Sequence, residues 1–590
     1  MEYIPFSISY KMLRFFFLNI LLLLKLNVFS QSEKYFYKVM TVSPPWSING
    51  IVVKQHQDSS YIIGSNKFVN NDGDNQLIHL DKYNKILLDS TYIDTNSSVG
   101  IKDLQFSHIQ NHYITTGHYQ TRSTNKWDSF VTLFDFKGKL VWEKILGDTT
   151  SDNGSRSIKP TFDGGYILAG FWEDSSGYWD ANVIKIDSIG NVEWDTTLGD
   201  YGRNDVFVWV EQSSDGGFVF GGLFGYLFDK GQGWLVKMDK NRNIILDKKF
   251  TVEPVTYVSN FRITTDGGYV FAGKTGEFES VPNNTYILKL NANGDKEWAT
   301  ILKDNSTLWF QSAPNKVLQL TDMSYIIVGS IDTGITYSRE VLISKIDTGG
   351  VELWRRMYGN IGYNDYGYDF DTCSDGGFII TGRTETSFNS NVIFIKTNCA
   401  GFAGPPITKF NISPNEMKVK FENKSDSAVN FKWYFGDGDS LVYDWDKSWL
   451  WIRKSPPDTF SHVYADTGTY TITLLAGACG EWDTLRQTIT IFRTAIAKNE
   501  MENPPSLIKI TPNPMYDVIQ VESNANEPIR LNMFDVTGKK LVEFEFGKSV
   551  TENKNTFVHK INVSFLPQGI YFYRVKGKAG NSGFGKVVKM

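Results

Sequence analysis

Between residues 31 and 401 the chain is a succession of short apolar runs cut by short polar turns, and only β-type patterning is visible there. The clearest run is Asp163-Gly164-Gly165-Tyr166-Ile167-Leu168-Ala169-Gly170. The same order of residue types returns from Asp215, Asp266 and Asp375, and in weaker form near Asp58, Gln110 and Asp322. Aspartate closes a turn with its own side chain, and the Gly pair accepts φ > 0 without a Cβ clash, so each run starts at a tight turn. The aromatic and aliphatic residues that follow have no polar face, which predicts a strand covered on both sides. Another strand comes next, as in Val183-Ile184-Lys185-Ile186-Asp187, and the turn Ser188-Ile189-Gly190-Asn191 leads into Val192-Glu193-Trp194.

The leading aromatics are Tyr61, Tyr113, Tyr166, Phe218, Tyr269, Tyr325 and Phe378, at intervals of 52, 53, 52, 51, 56 and 53 residues. A period near 50 with strand patterning alone predicts an all-β fold, a seven-bladed β-propeller spanning 31–401. Seven residues after the Asp or Asn that ends the Val-Ile-Lys-Ile type of strand stands a large apolar residue: Leu88, Trp142, Trp194, Leu246, Trp298 and Trp354. These are expected to pack between neighbouring blades. The seventh copy stops after Ile393-Phe394-Ile395-Lys396. Counting back from Tyr61 by the usual interval reaches Tyr37, so the segment around it is expected to supply the missing outer strand and close the ring, leaving no open edge.

Gly404-Pro405-Pro406 breaks the repeat. Trp433-Tyr434-Phe435-Gly436-Asp437-Gly438 reads as a strand ending in an Asp/Gly turn, and His462-Val463-Tyr464-Ala465-Asp466-Thr467-Gly468 as a turn into an alternating strand. This pair of motifs resembles the polycystic-kidney-disease (PKD) domain, an immunoglobulin-like β-sandwich, over 407–493. The resemblance implies a spacer or interaction module without catalysis, although the interval Leu441 to Asp458 is longer than it requires. A linker is read over 494–506. The segment 507–590 carries Thr511-Pro512-Asn513-Pro514, Asp535-Val536-Thr537-Gly538 and Leu566-Pro567-Gln568-Gly569 among strand–turn–strand units. It resembles the type A C-terminal sorting domain of the type IX secretion system. That implies a C-terminal β-sandwich, the type IX secretion machinery as partner, and export through the outer membrane of a Bacteroidota-type bacterium. The exported protein would be released or tethered to surface lipopolysaccharide.

Lys11 and Arg14 before the apolar run Phe15 to Leu24 predict a signal peptide over 1–30. That run is too short for a hydrocarbon core of ~30 Å, and no later stretch reaches the length of a span, so no membrane span is expected in the mature chain. Lys+Arg number 60 against 65 Asp+Glu, a net charge of −5 that argues against a nucleic-acid partner. Three Cys exclude a disulfide scaffold and a four-thiolate zinc site; they allow three single pairs, Cys399 with Cys479 among them.

The seven His lack metal-ligand spacing, no Gly-x-Ser-x-Gly elbow occurs, and Asn70-Asn71-Asp72-Gly73-Asp74 lacks the later positions of a calcium loop. No catalytic residue, metal or cofactor is expected. The Asp-Gly-Gly and Gly-Asn turns share one face of a propeller and are uniform, whereas the loops of the other face vary and carry Trp127, Trp172, Tyr178, Trp179, Tyr226, Phe228, Trp309, Tyr363 and Tyr366. These aromatics are the expected contacts for a glycan or surface-protein ligand. The chain reads as a secreted or cell-surface binding or adhesion protein without catalysis; the alternative is a secreted polysaccharide hydrolase with two carboxylates on the loop face.

Overall fold

The computed structural model describes residues 34–41, 46–69, 72–92, 97–121, 125–148, 150–225, 231–252, 256–275, 284–302, 313–332, 338–360, 362–385, 389–443, 458–492, 508–511, 513–523, 529–546, 557–577 and 582–590. The expected signal peptide over 1–30, the linker, and the site aromatics Tyr226, Phe228 and Trp309 lie outside these residues. Two compact units are present, 1–491 and 492–590.

In the first unit, seven sheets of four antiparallel strands form a ring. The innermost strands are Trp46–Gln55, Ser97–Phe106, Asn153–Pro160, Val206–Gln212, Thr256–Ile263, Ala313–Gln319 and Asn364–Thr372, and each contacts its neighbour around the axis. The second strands are the aromatic runs; Phe218–Phe224 is buried at every position because blades cover it on both faces. Outer strands such as Ile244–Phe250 alternate between half-buried and exposed. Blade seven takes its outer strand from the other end of the chain: Phe36–Met40 pairs with Ser390–Thr397, Tyr37 opposite Ile395.

The repeated turns explain themselves chemically. Asp163 accepts hydrogen bonds from Gly165 N (3.0 Å) and Thr161 Oγ1 (2.5 Å), and its carboxylate lies 3.0 Å from Lys185 on the third strand. The same Lys–Asp tie recurs at Lys237–Asp215, Lys289–Asp266, Lys345–Asp322 and Lys396–Asp375, 2.7–2.9 Å. The six apolar positions do lie between blades. Trp142, Trp298 and Trp354 approach Gly190, Gly350 and Gly401 of the following blade's turn so closely that a Cβ there would come within 3 Å of the indole.

Asn398 takes the place of the turn aspartate in blade seven, accepting from Ala400 N and Phe402 N, both 3.0 Å. Cys399 sits in this last turn and forms a disulfide with Cys479. Cys479 lies at the tip of the hairpin formed by Gly468–Ala478 and Glu481–Ile491, and Glu481 beside it pairs with Lys34 at 2.5 Å. The sandwich that owns this hairpin has sheets of three and four strands around Trp433, Phe421, Tyr464 and Ile472. The second unit is another three-plus-four-stranded sandwich, cored by Met515, Ile519, Leu531 and Met533. Among the described residues no helix is long and apolar enough to cross a membrane.

Candidate functional site: the axial cavity

Each innermost strand slips its register by one residue against the second strand of its blade. The residues left over are Ile51, Lys102, Arg156, Val208, Ser259, Asn315 and Tyr368, and all seven border a cavity of about 580 Å³ on the ring axis. A bulge re-aims its extra residue, so seven equivalent bulges deliver seven side chains to one place. The Gly that closes each aromatic run makes room for them. A Cβ on Gly170 would stand 1.9 Å from Gly154 O, and on Gly382 1.7 Å from Tyr366 O. Only glycine lets the bulged strand come this near.

A bulge also frees backbone N–H groups, and these must be satisfied. Side chains of the preceding blade do so. Asp103 Oδ2 accepts from Ile158 N (3.0 Å), Asp369 Oδ2 from Val53 N (2.9 Å), and Asn260 Oδ1 from Val317 N (3.3 Å). Two residues further along, Glu211 and Asp371 repeat the stitch to Ile263 N (2.9 Å) and Gln55 N (3.1 Å). Cations complete this layer: Lys159–Asp103 at 2.8 Å, Lys316–Asp369 at 2.5 Å and Arg262–Glu211 at 2.6 Å. Burial disfavours the charge on Asp103, but Lys159 and Lys54 outweigh it and hold the carboxyl below its ordinary range. Trp209 stands between Lys159 Nζ, 3.7 Å from its ring centre, and Arg262, 4.6 Å away. The layer lies on the Asp-Gly-Gly side of the bulges. The cavity extends the other way, past Asn49, Val206, Tyr257 and Lys274, toward the loop face.

The bulge ring carries a different balance. Lys102 and Arg156 are adjacent cations, and Lys274 adds a third above Tyr257, 4.9 Å from its ring. Burial deep in the ring, reinforced by repulsion from Arg156, pushes the Lys102 ammonium down to about 8. Its side chain nevertheless meets solvent, because the cavity admits it. Burial first, then Lys102 and Arg156, keep His118 neutral well below its ordinary range, and its buried Nδ1 has no hydrogen-bond partner among the described residues.

None of the six described aromatics expected at the site borders the cavity. Three of those described, Trp127, Trp179 and Tyr366, fall into two groups on the loop face. Trp127 and Phe171 each have ring centres 5.8 Å from that of His118, and Trp179 stacks on Phe171 at 4.4 Å. Tyr366 accepts from Arg339 Nη1 (3.0 Å), donates to Glu385 (3.2 Å), and lies parallel to the bulge residue Tyr368 at 6.2 Å. Trp172 pairs with Asn153 on the inner strand and Asp180 on the third, Tyr178 N donates to Asp174, and Tyr363 is exposed.

The loop face is also more regular than its sequence variety suggests. Trp127 N, Trp179 N and Arg339 N donate to Asp152, Asn204 and Asn364, each 25 residues on. The residues that sequence reasoning missed are those of the bulges. A signal for them exists: each stands ten residues before the aromatic of its repeat, eleven in blade two.

Comparison with known proteins identifies the two sandwiches. Residues 409–491 match the family model for the PKD domain. Residues 509–590 match the model for the secretion system C-terminal sorting domain. The chain carries a C-terminal sorting domain of the type IX secretion system. It is therefore exported, to the medium or to the outer-membrane surface. No curated protein is significantly similar to it.

Among solved structures, a PKD domain of the Vibrio cholerae metalloprotease PrtV is 22% identical over 15% of this chain and 99% of that one, TM-score 0.12. The β-propeller domain of the trilobed protease from Pyrococcus furiosus is 12% identical over 60% of this chain and 94% of its own, TM-score 0.35. An endo-arabinase from Bacteroides thetaiotaomicron is 11% identical over 40% and 92%, TM-score 0.28.

Proposed function

We propose that this exported cargo is a binding protein, non-catalytic, that takes a glycan or surface-protein ligand at the loop-face mouth of its axial cavity. The observation that carries the reading is the asymmetry of the axis. One side is filled by stitched ion pairs, and the other leaves about 580 Å³ lined from all seven blades, within the size range of ligand pockets. The aromatics of the loop face, Trp127, Trp179 and Tyr366 among them, are the secondary contacts of this reading.

The hydrolase reading needs two carboxylates free to act. Asp103 and Asp369, nearest the axis, are both bound to a lysine and a backbone N–H. On the loop face Asp180 and Asp205 border one gap, where a Cβ on Gly199 would stand 2.4 and 2.8 Å from their oxygens. Asp205, however, accepts from Asp200 N (2.9 Å) and Gly225 N (2.8 Å). The same arrangement recurs with Glu340 and Asp365 around Gly359, and with Asp128 and Asn153 around Gly147. A device repeated in three blades supports a scaffold role rather than one catalytic pair.

The test is to present the full chain to glycan and cell-surface protein arrays and to follow turnover of the same polysaccharides. Saturable binding without product release is expected. Product release, or no binding to any member, overturns the reading.

A further inference from the structure

The cavity is lined by four cations, Lys102, Arg156, Lys274 and Lys316, against two carboxylates, Asp103 and Asp369. Both carboxylates are consumed in the stitched layer, as is Lys316. Lys102, by contrast, stands at a bulge and makes no hydrogen bond or ion pair with another described residue. Repulsion from Arg156 is the only charge effect that adds to its burial. Behind it, burial and then the same two cations disfavour a charge on His118. Across the cavity, the buried indole N–H of Trp209 has no acceptor among the described residues.

A cationic cleft in a low-dielectric wall concentrates anions, and Lys102, which solvent reaches through the cavity, is open to one. The cations Lys102, Arg156 and Lys274 and the Trp209 indole therefore face one volume whose carboxylates, among the described residues, are already bound in the stitched layer. Aromatic walls at Phe68, Tyr257 and Tyr368 give that volume flat apolar faces. Its size admits a ligand no larger than a small oligosaccharide.

We propose that the bulge ring is an oxyanion site, in which Lys102 and Arg156 receive the carboxylate, sulfate or phosphate of a compact ligand of about disaccharide size. This rests on the binding reading above and names its ligand class. Charge-assisted hydrogen bonds to such a group are the stronger kind, and the ligand's body would lie against the aromatic walls on the loop-face side.

The experiment is calorimetric titration of the full chain with digalacturonate, glucose 6-sulfate and glucose 6-phosphate, beside cellobiose as a neutral probe. The variants are Lys102→Gln, Arg156→Gln and, on the opposite face, Lys240→Gln. At least one acidic probe should bind, the neutral probe at least tenfold more weakly. Lys102→Gln and Arg156→Gln should each weaken the acidic probe tenfold or more, with Lys240→Gln unchanged. The probe that binds distinguishes carboxylate, sulfate and phosphate. Circular dichroism confirms that each variant is folded, and Lys102→Met serves should Lys102→Gln fail to fold.

Binding of cellobiose or an array glycan that is indifferent to Lys102 overturns the oxyanion site and leaves the binding reading intact. Failure of all three acidic probes at 10 mM overturns the site as well. If the arrays are then also blank, both readings fall.

Discussion

Two rings of residues on the same seven strands, one to three positions apart, have opposite characters. In the stitched layer each of Lys159, Arg262 and Lys316 has a carboxylate within 2.8 Å, and the carboxylates also hold backbone N–H groups of the next blade. In the bulge ring Lys102 and Arg156 stand side by side, and the side chains opposite are Val208, Ser259, Asn315 and Tyr368. The backbone is equivalent in both, so the difference is one of side-chain chemistry. Charge paired across blades fastens them together, while the solvent-facing charge of Lys102 is left for a ligand to meet. Burial of ionisable groups does not by itself mark a site; a cation turned to an open cavity, as Lys102 is, separates the bulge ring from the stitched layer.

The contrast can be broken most forcefully in the layer. Asp369→Ala strands Lys316, which is almost fully buried, and uncaps Val53 N, so it should cost ~3–5 kcal/mol in urea unfolding. A loss below ~1 kcal/mol would erase the distinction between the rings. Cys399→Ser removes the bond between the ring's last turn and the sandwich and should cost ~2–4 kcal/mol, or separate one thermal transition into two in calorimetry. Asp163→Ala, which deletes one turn acceptor, should cost ~1 kcal/mol.

The pH dependence of that face sharpens the point. Burial opposes ionisation of Asp163 and Asp266, but turn hydrogen bonds and their lysines hold both carboxyls down to about 2. Their contribution is complete above the ordinary value near 3.8 and is lost as pH falls toward 2. Acid titration of stability should show this loss in wild type and less of it in Asp163→Ala. The smallest effect is expected in the bulge ring. Lys102→Met removes a charge that the fold disfavours, so it should change stability by no more than ~0.5 kcal/mol, on the stabilising side, while abolishing capture of acidic probes.

The architecture was legible in the sequence because it is periodic. The Asp-Gly-Gly turns, the aromatic runs and the interval to Tyr37 fix blade number and closure, since each rests on local turn chemistry or on counting. The two terminal sandwiches were legible from paired motifs. The cavity was not. Its lining residues are Ile, Lys, Arg, Val, Ser, Asn and Tyr at one repeat position, with no shared chemistry to draw attention, and a bulge leaves little trace in a strand's composition.

The visible aromatics drew attention instead, and several of them pack against each other around His118 and Tyr366. The expectation that the turn face is scaffold and the loop face is variable was also too simple. Gly147, Gly199 and Gly359 mark connections on the loop face that are as regular as any turn.

The disulfide enters the ring beside the strands that complete it, for Cys399 follows directly on Ser390–Thr397, the partner of Phe36–Met40. A tug on the sandwich is thus carried by a covalent bond into blade seven, and Lys34, two residues ahead of the closing strand, grips the same hairpin through Glu481. Load arriving from the sandwich therefore enters the ring at blade seven, where the two ends of the propeller segment meet, on the side of the Asp-Gly-Gly turns.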